Sequence, residues 1–233
     1  MKDFNLMAIL LNAEFGAMLV HGLLTTLKIA AGSWLLAMTL ALVLLTVRLA
    51  PSRVAQRLVA GYVSYHFNVP TLVQLMLWYF GIFSLLPDAL QTWLSNNNAE
   101  LLLSIVALGL CQAAYFCEDL RSGLRAIPSG QTEAARALGH SYIGSMRFVI
   151  LPQAVRNAMP PLVSHSVSLF KNSSLAMAIG VAELTHAVKE VESQSFRAFE
   201  AYLIATVVYL AVSLLIMVVG AWLGRRYSIV GAR

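Results

Sequence analysis

The chain has 233 residues, 59% of them hydrophobic and 12% charged, with a net charge of +5 and a mean hydropathy of +0.73. Its charged fraction is about half the roughly 25% of soluble globular domains, which excludes a soluble fold of this size. Most of the apolar surface must face lipid or other membrane helices. Two cysteines, Cys111 and Cys117, are too few for a disulfide framework, and on one helix they stand about 9 Å apart, too far to bridge.

In chain order, residues 1–16 form an N-terminal segment carrying Asp3 and Glu14, and the start is not expected to be a cleaved leader. Five apolar stretches follow, with spans predicted at about 20–47, 58–84, 99–120, 156–183 and 200–224. Between Lys28 and Arg48 lie 19 uncharged residues, about 28 Å as a helix and close to a hydrocarbon core of about 30 Å. The second stretch contains Asn68, Pro70 and Gln74 and reads as a helix entered through a break. The fourth is interrupted by Pro160, Pro161, His165 and Lys171, so it reads as a span with a polar face. Residues 227–233 form a tail.

Charge sets the predicted orientation. Arg48–Arg57 carries three arginines, the connection from Glu118 to Arg156 five, and the tail region Arg225, Arg226 and Arg233; the connection Ser84–Glu100 has no Lys or Arg. This alternation places the N-terminus outside and the C-terminus in the cytoplasm. Trp78 and Trp93 then fall at the outer surface, and Trp222 with Tyr227 at the inner one, as aromatic belts. The positive excess is a topology signal, and no nucleic-acid partner is expected.

The connection 127–152 holds the most distinctive pattern. Pro128 and Ser129 signal a helix start, with Ser129 as N-cap. Glu133 lies in or near the first turn, where a negative charge suits the dipole. Ala134, Ala135 and Ala137 make a small-residue face, and Gly139 sits where a left-handed cap is required. Ser141 caps a second short helix that Pro152 ends or redirects. Taken alone, an alanine-rich helix with a glycine cap is an ordinary connector.

The full pattern is EAA-x3-G-x9-V-x-L-P, from Glu133 to Pro152. With it the chain resembles the permease subunits of type I ATP-binding-cassette importers, in the polar amino acid family. Glu118, Arg121 and Ile127–Gln131 are similar to that family's lead-in, and Lys171–Leu175, Ile179–Gly180 and Glu183–Leu184 to its fourth-span signature. Asn68–Pro70, Val73–Gln74 and Trp78–Phe80 are similar to glutamate/aspartate-type members. The resemblance covers roughly residues 17–226.

The resemblance implies an all-α transmembrane domain of five spans with a cytoplasmic coupling helix, whose Glu133, Ala134, Ala135, Arg136 and Gly139 engage a separate ATPase. Implied partners are a second permease, identical or homologous, two ATPase subunits and a periplasmic solute-binding protein delivering an amino acid, with lipid around the complex. No G-x-x-x-x-G-K-[ST] loop occurs in the sequence, so ATP and its magnesium are expected on the partner, and neither catalysis nor metal binding on this chain.

Ionisable or polar residues within spans are the pathway candidates. Lys28, near a span end, reads as a snorkelling side chain, and His21 as an interfacial one. Lys171, followed by Asn172 and Ser173, has two readings: a pathway or gate, or packing against a second subunit. Asn68, Thr71 and Gln74 align on one stripe if helical, either lining the pathway or forming an interhelical hydrogen-bond seam. Phe67 stands where many family members have arginine, which weakens the preference for an acidic substrate. The competing function is an ion-coupled secondary amino acid carrier using Lys28, Glu118 or His165. Against it, Glu118 and Asp119 are expected at the cytoplasmic end of their span rather than at its centre.

Overall fold

The computed structural model describes residues 4–226, and among them helix is the sole regular structure. The expected tail at 227–233, with Tyr227 and Arg233, lies outside the described residues, as does Asp3.

A single turn, α1 (Met7–Leu10), precedes α2 (Ala13–Leu49), a helix of 37 residues. Asn12 starts α2 by accepting from the amides of Glu14 and Phe15. It stops at Ala50, which is extended because Pro51 follows. Ser52 caps α3 (Arg53–Asn68), an amphipathic helix burying Val59, Val63 and His66 at helical spacing.

Val69 is extended ahead of Pro70, and the chain restarts as α4 (Thr71–Met76). A π-helical turn, Leu77–Ile82, carries it into α5 (Phe83–Leu85). The two arms meet at 107°, so the predicted span 58–84 is two helices. Pro70 explains the bend: it supplies no amide and holds its predecessor out of the helical region.

After α6 (Asp88–Asn96) comes α7 (Ala99–Arg125). The connection then forms α8 (Ser129–Ala137) and α9 (Tyr142–Ser145). From α9 the helical path continues through a π segment, Met146–Ile150, into α10 (Leu151–Asn172). A 3-10 segment, Ser173–Ile179, leads to α11 (Leu184–Ser195) and α12 (Ala198–Arg226).

Two proline expectations change. Pro152 does not end or redirect the helix; it is the second residue of α10, and the widened π turn before it absorbs its missing amide. Pro160 and Pro161 likewise lie inside a continuous α10.

Among the described residues, α2, α7 and α12 are each long and apolar enough to cross a membrane, and the bent α3–α5 arms bring the number to four if counted as one span. The predicted fourth span is α10 plus the 3-10 segment, and its polar face keeps it out of that group.

Helix α7 is central, packed between α2 and α10, while α12 rests on α10 and α11. Small residues set these contacts. Ala37 and Ala41 of α2, Ala113 and Ala114 of α7 and Ala158 of α10 are fully buried in one cluster. A Cβ on Gly123 would come within 2.5 Å of the Ala154 carbonyl. Between membrane helices such close backbone approach supplies dispersion contacts that larger side chains would prevent.

Candidate coupling and translocation site

Helix α8 begins one residue earlier than expected. Pro128 is the N-cap, extended at φ −60°, and Ser129 is the first helical residue rather than the cap. Glu133 is consequently past the first turn, and it is exposed. The alanine face also divides. Ala135 is 3% exposed, on a helix that packs against the π segment, whereas Ala134, Ala137 and Arg136 face outward with Glu133.

Gly139 adopts φ +87°. Its amide donates to the Arg136 carbonyl at 3.0 Å and the His140 amide to the Ala135 carbonyl at 3.1 Å. These two bonds make a Schellman cap, which turns the chain sharply away from α8. The Ser141 hydroxyl accepts from the Gly144 amide at 3.1 Å and starts α9.

Around this turn Leu138 is 83% exposed, and Tyr142, Ile143 and Phe148 are also exposed. Sequence reasoning missed this apolar apron because its members belong to three separate segments. The signal available was a set of large side chains in a connection that has no core of its own.

The polar stripe does not form. Asn68 ends α3 and bonds its own helix, its Nδ2 donating to the Ser64 carbonyl at 2.7 Å. Thr71 starts α4 beyond the bend and lies 3.8 Å from the Cys111 sulfur. Gln74 is buried; its Nε2 donates to the Val69 carbonyl at 2.7 Å and the His66 carbonyl at 3.3 Å, and its Oε1 pairs with the His66 ring. These two carbonyls adjoin the break, so Gln74 braces the bend.

Lys171 is exposed on α10 and shares a face with Ser164 and Ser168, at helical spacing that sequence reading overlooked. The three line a groove of about 680 Å³ between α10 and α12, with Arg156, Gly220 and Arg225 among its other walls. Ser173 does not face it: it is fully buried, bonding the Phe170 carbonyl at 2.6 Å. Asn172 is half-buried.

Two buried carboxylates form links the sequence did not reveal. Asp119, in the C-terminal part of α7, has its Oδ2 2.7 Å from the His165 Nδ1 on α10. Tyr115 packs on His165 at 5.0 Å and Phe67 stacks on Tyr115 at 4.4 Å between ring centroids. Phe67 thus continues an aromatic row. Glu183, 0% exposed, accepts from the His186 amide, the Tyr209 hydroxyl and Thr26, tying α2, α11 and α12 together.

At the opposite end from α8, His21 and Lys28 line a cavity of about 350 Å³ with Glu100 and Gly180.

Comparison with known proteins matches residues 35–229 to the family described as binding-protein-dependent transport system inner membrane component. The glutamate/aspartate import permease protein GltJ of Escherichia coli K12 is 31% identical over 238 residues, covering 98% of this chain and 97% of GltJ. The probable glutamine ABC transporter permease protein GlnP of Bacillus subtilis is 36% identical over 203 residues, covering 86% and 89%. A solved amino acid ABC transporter, crystallised with histidines, has a chain 27% identical with a TM-score of 0.81, covering 94% of this chain and 98% of that one.

Proposed function

The chain belongs to the family of inner membrane components of binding-protein-dependent transport systems, and we propose that this multi-pass amino-acid ABC importer permease moves a glutamate- or aspartate-like substrate. In this reading a periplasmic binding protein delivers the substrate and a second permease completes the translocation unit. Two ATPase subunits hold the ATP and magnesium on the cytoplasmic side, and the complex resides in a bacterial inner membrane with its C-terminus inside.

The observation that carries the reading is the capped hook at α8. The Schellman turn at Gly139 holds Glu133, Ala134 and Arg136 outward beside the exposed Leu138, Tyr142 and Ile143. An apolar patch rimmed by charge suits a protein partner. The helical path from α9 through α10 makes a stiff connection from that patch to Ser164, Ser168 and Lys171. Work done on the hook by an ATPase is thereby transmitted to the groove as alternating access.

Lys171, with the serines beside it, supplies donors for a carboxylate. Phe67 supplies none, so the acidic preference rests on Lys171, Asn172 and the partner permease. Asn68 and Thr71 flank the bend, and Gln74 acts through its shape.

The Asp119–His165 pair favours a second reading, an ion-coupled carrier, because a protonatable pair with a buried carboxylate suits a relay. Vanadate-sensitive uptake separates the two. Glu133→Lys is expected to insert normally, lose ATPase association and lose at least about tenfold of uptake, as one buried interfacial charge reversal costs more than 1.4 kcal/mol. Unchanged, ATP-independent uptake by that variant would refute the importer reading.

A further inference from the structure

A second cavity, of about 370 Å³, opens at the end of the bundle from which α8 hangs, lined by Arg48, Leu49, Gln56, Arg121, Leu124 and Arg125. Arg48 comes from the last turn of α2, Gln56 from the start of α3, and Arg121 and Arg125 from successive turns of α7. None of these residues belongs to the hook or the groove.

Glu118 is paired with two of the arginines. Arg48 lies 2.6 Å from its Oε1 as a close ion pair rather than an aligned hydrogen bond, and Arg121 lies 3.0 Å from its Oε2. Both arginine side chains are about four-fifths buried. Gln56 is held by its own donation to the Ala50 carbonyl at 2.9 Å.

Three guanidiniums therefore line one cavity, two of them sharing a single carboxylate, and each carries five donors. Positive charge remains in excess, with Arg48 and Arg121 already held by Glu118 and Arg125 exposed beside them. Retaining one membrane face in the cytoplasm needs arginines near span ends, but it does not need three of them around one cavity.

We propose that this cavity binds a phosphate group, carried by an anionic phospholipid of the adjoining leaflet. Several acceptor oxygens on one tetrahedral centre match converging guanidiniums. Leu49 and Leu124 provide an apolar wall for the glycerol and the upper acyl carbons, and basic pockets between helices on this side suit anionic headgroups. A phosphate held there joins α2, α3 and α7 where Arg125 leads into α8, bracing the base of the hook. The inference goes beyond the transport reading and does not depend on the amino acid carried.

Native mass spectrometry of the full chain in detergent, with added phosphatidylglycerol or phosphatidylcholine, tests the site. Wild type is expected to retain phosphatidylglycerol in preference, with R125Q retaining about tenfold less, the effect of one charge-assisted hydrogen bond. R125K is expected to keep most of it. Raising salt on wild type alone should release the lipid, a readout that needs no variant. A melting shift with millimolar inorganic phosphate, abolished by R125Q and without preference between the lipids, would keep the phosphate site but overturn its lipid source. Equal retention of both lipids by wild type and R125Q, salt-insensitive and with no phosphate shift, would overturn the proposal.

Discussion

Gly139 and Gly123 are constrained for different reasons. Among the described residues, nothing beyond its chain neighbours lies within 4 Å of a Cβ built on Gly139, so its requirement is the backbone angle alone, whereas Gly123 has ordinary backbone and no room. Gly139→Ala should therefore cost about 1 kcal/mol, the penalty of a left-handed non-glycine residue. It is expected to leave the span helices folded while hydrogen exchange at the Gly139 and His140 amides accelerates about fivefold. Gly139 and the Ser141 cap were legible because caps are local chemistry. The misplacement of Ser129 has an equally local cause, since Pro128 is itself fixed at an N-cap angle. The division of the alanines was not legible, because which one turns inward depends on where the π segment packs.

Among the elements, the bent α3–α5 pair shows how a polar residue changes meaning once the helix is interrupted. A stripe through Asn68, Thr71 and Gln74 assumes a continuous helix, and Pro70 removes it. Gln74 then becomes a brace for carbonyls that the break has exposed. Gln74→Leu, close in volume, is expected to destabilise the protein by about 1–3 kcal/mol, the cost of leaving a buried acceptor unsatisfied. Asn68→Ala should cost less than about 1 kcal/mol, since its bond is made within its own exposed helix end. Thermal melting of the purified protein checks both. Equal effects from the two substitutions would show that Gln74 does not brace the bend.

For the whole molecule, the polar face of α10 matters because it is the long helix that joins the hook to the groove. If Ser164, Ser168 and Lys171 border a water-filled path, a single cysteine at Ser168 should react with a charged thiol reagent in the assembled transporter. Val207→Cys, on the exposed apolar surface of α12, should react at least about tenfold more slowly, as thiolate chemistry needs water. Substrate should protect Ser168→Cys. The native Cys111 and Cys117 are buried and give a low background. Equal, unprotected reactivity at both positions would place that face against lipid.

Read alone, the residues determined that this is an all-helical membrane chain, where its apolar stretches lie, and that a glycine-capped helix precedes Pro152. Composition, the reach of an uncharged helix across hydrocarbon and the backbone demand of a cap are properties of adjacent residues. Tertiary structure decided the pairing of Asp119 with His165, the burial of Glu183 against Thr26 and Tyr209, the brace at Gln74 and the meeting of Arg48 with Arg121 and Arg125. Each of these joins residues from different helices or across a bend, and spacing along a chain carries no information about which helices become neighbours.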